Sequence, residues 1–202
     1  GYTKLVKSSP FVNPFELNSE KKDRTKFKED FQFELEEDLS LEHVEEVAGV
    51  VEVFSRFGVG GEKVYLLAEL LLTKYIGKIS SNAIGRLAFC LGHAKRAVRS
   101  VEEPLCDILQ NSDNTIAPTN MVKIMYYLLV NRIHPYLTWE KMIGEFLNQK
   151  SLDQLNPSEA RLARSLIMTL KSTENLNHLP LLQKEKWAEL LLPNIQKEPE
   201  PT

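Results

Sequence analysis

Four stretches decide the fold: Leu39-Ser40-Leu41-Glu42-His43-Val44, Ile79-Ser80-Ser81-Asn82-Ala83-Ile84, Ile116-Ala117-Pro118-Thr119-Asn120-Met121 and Leu155-Asn156-Pro157-Ser158-Glu159-Ala160. Each opens on an aliphatic residue, passes a residue suited to a helix start, and enters an apolar segment. The anchors Leu39, Ile79, Ile116 and Leu155 are 40, 37 and 39 residues apart. Five residues after each anchor stand Val44, Ile84, Met121 and Ala160. Eight after stand Val47, Leu87, Ile124 and Ala163, and twelve after stand Val51, Leu91, Leu128 and Ile167. Steps of three and four residues keep these positions on one stripe of an α-helix.

The starts of these helices are chemically apt. Ser40, Ser80 and Asn156 carry side-chain oxygens that accept from the free N–H groups of a first turn, and Pro118 and Pro157 lack the N–H that a first turn leaves unpaired. A second helix follows each first one. Residues 62–75, 101–109, 139–147 and 181–192 carry apolar residues at helical spacing. Gly58, Gly60 and Gly61, the link 96–100 and His134-Pro135 mark turns. Alternation of the kind that makes strands is absent. The expected fold is all-α, an α-solenoid of about four helix-turn-helix repeats with an extended N-terminal arm. One hairpin cannot bury both faces of its helices, so neighbours must stack.

The flanks read differently. Residues 1–38 hold Pro10, Pro14 and dense charge, with aromatic residues between. They are expected to form an arm that docks through Phe11, Phe15, Phe27, Phe31 and Phe33 on a partner or on the repeat body. The repeat domain is set at 39–192, and 193–202 is a polar, proline-bearing tail. The chain opens on Gly1, as either an expression scar or a processed targeting segment would leave it.

Composition excludes several classes. With 43% hydrophobic and 26% charged residues, the chain is of ordinary globular type. Two cysteines, Cys90 and Cys106, make no disulfide framework and have no metal-ligand spacing. The longest apolar run, Val64 to Leu72, is interrupted by Glu69 and is too short to span a membrane. The net charge of −3 conceals an asymmetry: acidic residues crowd from Glu29 to Glu52, and basic ones follow from Lys63 to Arg99. Arg86, Lys95, Arg96 and Arg99 form the candidate patch for RNA phosphates or another anion.

Catalytic, cofactor and metal residues are not assigned. Gly58-Val59-Gly60-Gly61-Glu62-Lys63 lacks the spacing and the preceding strand of a phosphate-binding loop and reads as a turn between helices. His43, His93, His134 and His178 have no second ligand at metal spacing. Cys90 and His93 are three residues apart on one helix, but no orienting group or oxyanion device accompanies them. The carboxylates Glu34, Glu36, Glu37 and Asp38 suit the positive end of the first helix.

The anchors, with Ile84-Gly85-Arg86-Leu87-Ala88-Phe89-Cys90-Leu91 and Leu162-Ala163-Arg164-Ser165-Leu166-Ile167, give the chain a resemblance in pattern over about residues 39–192. It resembles the helical-hairpin repeats of the heptatricopeptide and octotricopeptide type, including those beside RAP domains in FAST-kinase-like organellar proteins. The resemblance implies a mitochondrial protein that binds RNA or joins a large organellar assembly. Only about four repeats, the lack of a RAP-like module and the mild acidity depart from that type and favour an accessory subunit. The expected function is a non-catalytic scaffold subunit of a mitochondrial, ribosome-like ribonucleoprotein, meeting protein subunits and, at the basic patch, RNA. Two alternatives stand beside it: an accessory subunit of a respiratory or ATP-synthase complex with protein contacts alone, and a cytoplasmic protein–protein adaptor. No small-molecule substrate, cofactor or integral membrane segment is expected in any of them.

Overall fold

In the computed structural model, residues 39–110, 116–133, 153–172 and 192–196 are described. The aromatic arm, the expected helix over 139–147, most of that over 181–192, and His134 and His178 lie outside the described residues. Among the described residues the structure is all-helical, with no strand. The helices are α1 (Leu41–Arg56), α2 (Gly61–Tyr75), α3 (Ser81–His93), α4 (Arg99–Gln110), α5 (Pro118–Val130), α6 (Pro157–Ser172) and the short α7 (Leu192–Ile195).

The helix starts fall at the expected register, each with its own device. Ser40 Oγ accepts from the His43 N–H at 3.3 Å, and Ser80 Oγ accepts from the Ala83 N–H at 3.1 Å. Ala117 has no side-chain cap, but Pro118 follows it in the first turn of α5. Asn156 and Glu159 cap reciprocally. Asn156 Oδ1 accepts from the Glu159 N–H at 2.8 Å, while a Glu159 carboxylate oxygen accepts from the Asn156 N–H at 3.0 Å.

The caps also tie helices together. The Glu45 carboxylate on α1 accepts from both the N–H and the hydroxyl of Ser80, each at 2.6 Å. A negative charge from one helix thus sits at the positive end of the next. Thr119 on α5 donates its hydroxyl to Glu159 on α6 in the same manner. These clasps fix how far one helix slides along its neighbour.

All twelve stripe positions are buried, from Val44, Leu87, Ile124, Leu91, Leu128 and Ala160 at 0% to Val47 at 5% exposed. The stripe is what brings α1 onto α3, α3 onto α5 and α5 onto α6. α2 packs on α1 and α3, touches α4, and buries residues on several sides, including Val64, Leu66, Ala68, Leu71, Leu72 and Tyr75. α7 packs on α6, with Ile195 against the core.

The α3–α5 contact is the most extensive, and glycine lets the two backbones come close. A Cβ placed on Gly85 would stand 3.2 Å from the Asn120 Cα, and one on Gly92 would stand 3.1 Å from the Tyr127 Cα. Seven residues separate the two glycines, so they lie on one face and let the α5 backbone approach along two turns. Tyr127 uses this closeness. Its buried phenol oxygen accepts from the Val98 N–H at 3.0 Å and anchors the α3–α4 link to α5.

Leu87 lies at 0% exposure in the middle of the row. Leu87→Ala is expected to lower the unfolding free energy by about 2–5 kcal/mol, the usual range for a large core truncation. Met168→Gln, at a position 50% exposed, is expected to change it by no more than about 0.5 kcal/mol. Urea melts followed by circular dichroism separate the two; equal effects would contradict the assigned core.

Candidate interaction site

Two charged side chains interrupt the apolar row and meet each other. Glu52 stands on α1 between Val51 and Val53, and Lys123 stands on α5 between Val122 and Ile124. They are 6% and 8% exposed. Lys123 Nζ lies 2.8 Å from Glu52 Oε1, which joins two helices that share α3 as a neighbour. Arg56, one turn along α1, donates from Nη2 to the same oxygen at 2.9 Å. Arg86 of α3 brings Nε to 3.5 Å from the other oxygen. Its guanidinium can approach the α1 backbone because residue 49 is glycine; a Cβ there would come within 2.5 Å of Nη1.

One buried carboxylate therefore holds three cations from three helices. Burying a lone carboxylate or ammonium is costly, and each partner here removes part of the other's cost. Arg86 and Lys123 both stand seven residues after the aliphatic residues Ile79 and Ile116. Arg86 Nε, although 3.5 Å from Glu52, and Asn120 Oδ1 are buried without a hydrogen-bond partner among the described residues.

Next to the node a cavity of about 100 Å³ opens between α1, α3, α5 and α6. Arg56 and Lys123 form its basic wall, Phe89 and Leu162 its apolar wall, and Asn156 and Ser158 its polar rim. The Arg56 guanidinium lies over the Phe89 ring at 5.0 Å, a cation–π contact that fixes its plane. Phe89 also packs on Tyr126, with ring centroids 5.2 Å apart, and stacks on His93 at 6.3 Å.

The basic patch expected from the sequence divides in the structure. Lys95, Arg96 and Arg99 come together at the α3–α4 turn, whereas Arg86 belongs to the Glu52 node. Arg96 is engaged inside the molecule, donating from Nε to Glu69 at 2.7 Å and from Nη1 to Glu62 at 2.6 Å. Burial works against the Arg96 charge, but these bonds outweigh it and the pKa rises. Lys95, with φ 52°, and Arg99, at the start of α4, are exposed. The glycine-rich stretch lies between α1 and α2, with positive φ at Gly58, Gly60 and Gly61, and Glu62 faces Arg96.

Cys90 is 0% exposed. Burial is the main force that pushes its thiol up to about 11; the Ser55 hydroxyl opposes this, and the Glu52 charge adds to it. A thiol so raised is held neutral at pH 7 and is a poor nucleophile. His43 lies with Nδ1 2.9 Å from the Ser40 hydroxyl, at a helix start. Among the described residues no group of three His, Cys, Asp or Glu is placed to hold a metal ion, and no helix is long and apolar enough to cross a membrane. No protein-family model, curated protein or solved structure matches the chain.

Two outcomes follow from the buried groups. Glu52→Gln leaves Lys123 buried without a carboxylate and is expected to cost about 3–5 kcal/mol in urea melts. Adding Lys123→Met should recover a large share of that loss; no recovery would mean that the pair does not carry it. The Cys90 pKa stands above its ordinary value near 9, so its stabilising effect is complete below pH 9 and is lost as pH rises through about 11. Stability measured across that window should fall more steeply for the native chain than for Cys90→Ala, and parallel curves would contradict the raised thiol.

Proposed function

We propose that the chain is a non-catalytic α-solenoid of about four helical hairpins that serves as an accessory scaffold subunit and joins a large assembly through protein contacts. The carrying observation is an apolar stripe on the open flank of α1. Val50, Val53 and Phe57 are 36%, 49% and 77% exposed and follow one another at helical spacing. Stacked repeats need polar outer faces where nothing covers them, and an apolar outer stripe suits a surface met by another protein. The ordered packing of α1, α3, α5 and α6 supports the solenoid reading. Its resemblance to organellar repeat proteins supports a mitochondrial host.

The charge distribution bears on which host. Arg86 and Arg96 spend their charge on Glu52, Glu62 and Glu69, which favours protein contacts over RNA. Lys95 and Arg99 remain exposed at the α3–α4 turn, and they support a second reading in which the host is a ribosome-like particle whose RNA meets that turn.

Val53→Lys with Phe57→Glu is expected to leave the melt within about 1 kcal/mol, because both positions are exposed. The native chain is expected to co-sediment with large complexes in mitochondrial extracts, and this variant to be lost from them. Lys95→Glu with Arg99→Glu should leave that association intact under the protein-contact reading and abolish it under the RNA reading. A native chain that sediments only as free monomer would overturn both.

A further inference from the structure

The cavity beside Glu52 has the size of a side chain rather than of a small-molecule ligand. Its volume is about 100 Å³, and sites for drug-sized molecules are roughly three to ten times larger. Its basic wall is built, not incidental. Lys123 is 8% exposed and is held at 2.8 Å by Glu52. Arg56 is fixed from two directions, by Glu52 at 2.9 Å and by the Phe89 ring at 5.0 Å. Only Nη2 of Arg56 is used on Glu52, so the Nε and Nη1 donors have no hydrogen-bond partner among the described residues. The Arg56 side chain is 46% exposed, which makes those donors reachable from solvent.

Charge decides what this wall accepts. Arg56, Arg86 and Lys123 stand against two carboxylates, Glu52 in the node and Glu159 in the cavity lining, and one positive charge is in excess. Glu159 is held in place by Thr119 and by the Asn156 N–H. A monoanion balances the excess, whereas a phosphate dianion overbalances it and meets Glu159. Guanidinium donors pair with a planar carboxylate in a fork, and apolar Phe89 and Leu162 suit the methylene stem of an acidic side chain. We propose that this pocket is the receptor for a single glutamate or aspartate side chain presented by an acidic peptide segment of a partner protein. The proposal rests on the reading of the chain as a protein-binding scaffold and assigns that partner's anchoring chemistry.

The test uses the full chain and a short fluorescein-labelled peptide of alternating glutamate and alanine, followed by anisotropy. Binding is expected, weakening with salt and lost when glutamine replaces glutamate. Arg56→Gln should weaken it at least about tenfold, and Arg56→Lys should fall between, because it keeps the charge but not the fork. A thermal melt confirms that both variants fold, and Lys95→Gln with Arg99→Gln should leave the affinity unchanged. Equal binding of the glutamine peptide, insensitivity to Arg56→Gln, or dependence on Lys95 and Arg99 would each overturn the proposal. Tighter binding of a phosphoserine peptide would overturn the choice of carboxylate. If the native chain ignores the acidic peptide yet still co-sediments with its assembly, the pocket reading fails and the scaffold reading stands.

Discussion

The Glu52 carboxylate is the constraint on which the arrangement of helices depends. Apolar stripes alone attract α1, α3 and α5 to one another but specify their axial positions only loosely, because burial is non-directional. A buried charge is different. Glu52 satisfies its oxygens only where Lys123, Arg86 and Arg56 arrive together, within 2.8–3.5 Å. Sliding α5 by one residue along α3 would move Lys123 about 1.5 Å and leave an ammonium in an apolar layer. The clasp of Glu45 on Ser80 sets the α1–α3 offset a second time. Buried ion clusters often add little stability over an apolar layer, and their directional geometry is suited to holding register.

Legibility in the sequence followed the kind of force involved. The buried stripe was readable because a helix period and a repeat period coincide, and every position at offsets of five, eight and twelve is in the core. Helix starts were readable from Ser40, Ser80, Pro118 and Asn156, since capping depends on residues three apart in the chain. The polar node was not read. Its members are 34 and 37 residues apart, and nothing local joins Glu52 to Arg86 or Arg86 to Lys123. A signal did exist: a lone glutamate in Val51-Glu52-Val53 and a lone lysine in Val122-Lys123-Ile124 each interrupt an apolar run beside the stripe. Two isolated charges of opposite sign in two stacked apolar helices are candidates for a buried pair.

The basic patch shows the converse. A run of basic residues counted along the chain overstates the positive surface, because the fold spends the charges unevenly. Arg96 closes onto Glu62 and Glu69 of α2, where it holds the α3–α4 link against that helix. Arg86 turns inward to α1. Lys95 and Arg99 alone keep the exposed, cationic character that the linear count assigned to all four.

Under the proposed protein-binding reading, the exposed features adjoin one another. The apolar α1 stripe and the small cavity both adjoin the helices that the buried ion cluster ties together. Affinity is gained where contact groups are already ordered, since little side-chain freedom is lost on binding. Arg56 connects the two features. It belongs to the ion cluster, its guanidinium plane is fixed by Phe89, and it follows Val53 by three residues on the helix that carries the stripe. A partner seated on Val50, Val53 and Phe57 would therefore have a pre-oriented cation at the edge of its footprint. An acidic side chain at that edge adds a specific, geometrically fixed contact to an otherwise non-directional apolar one.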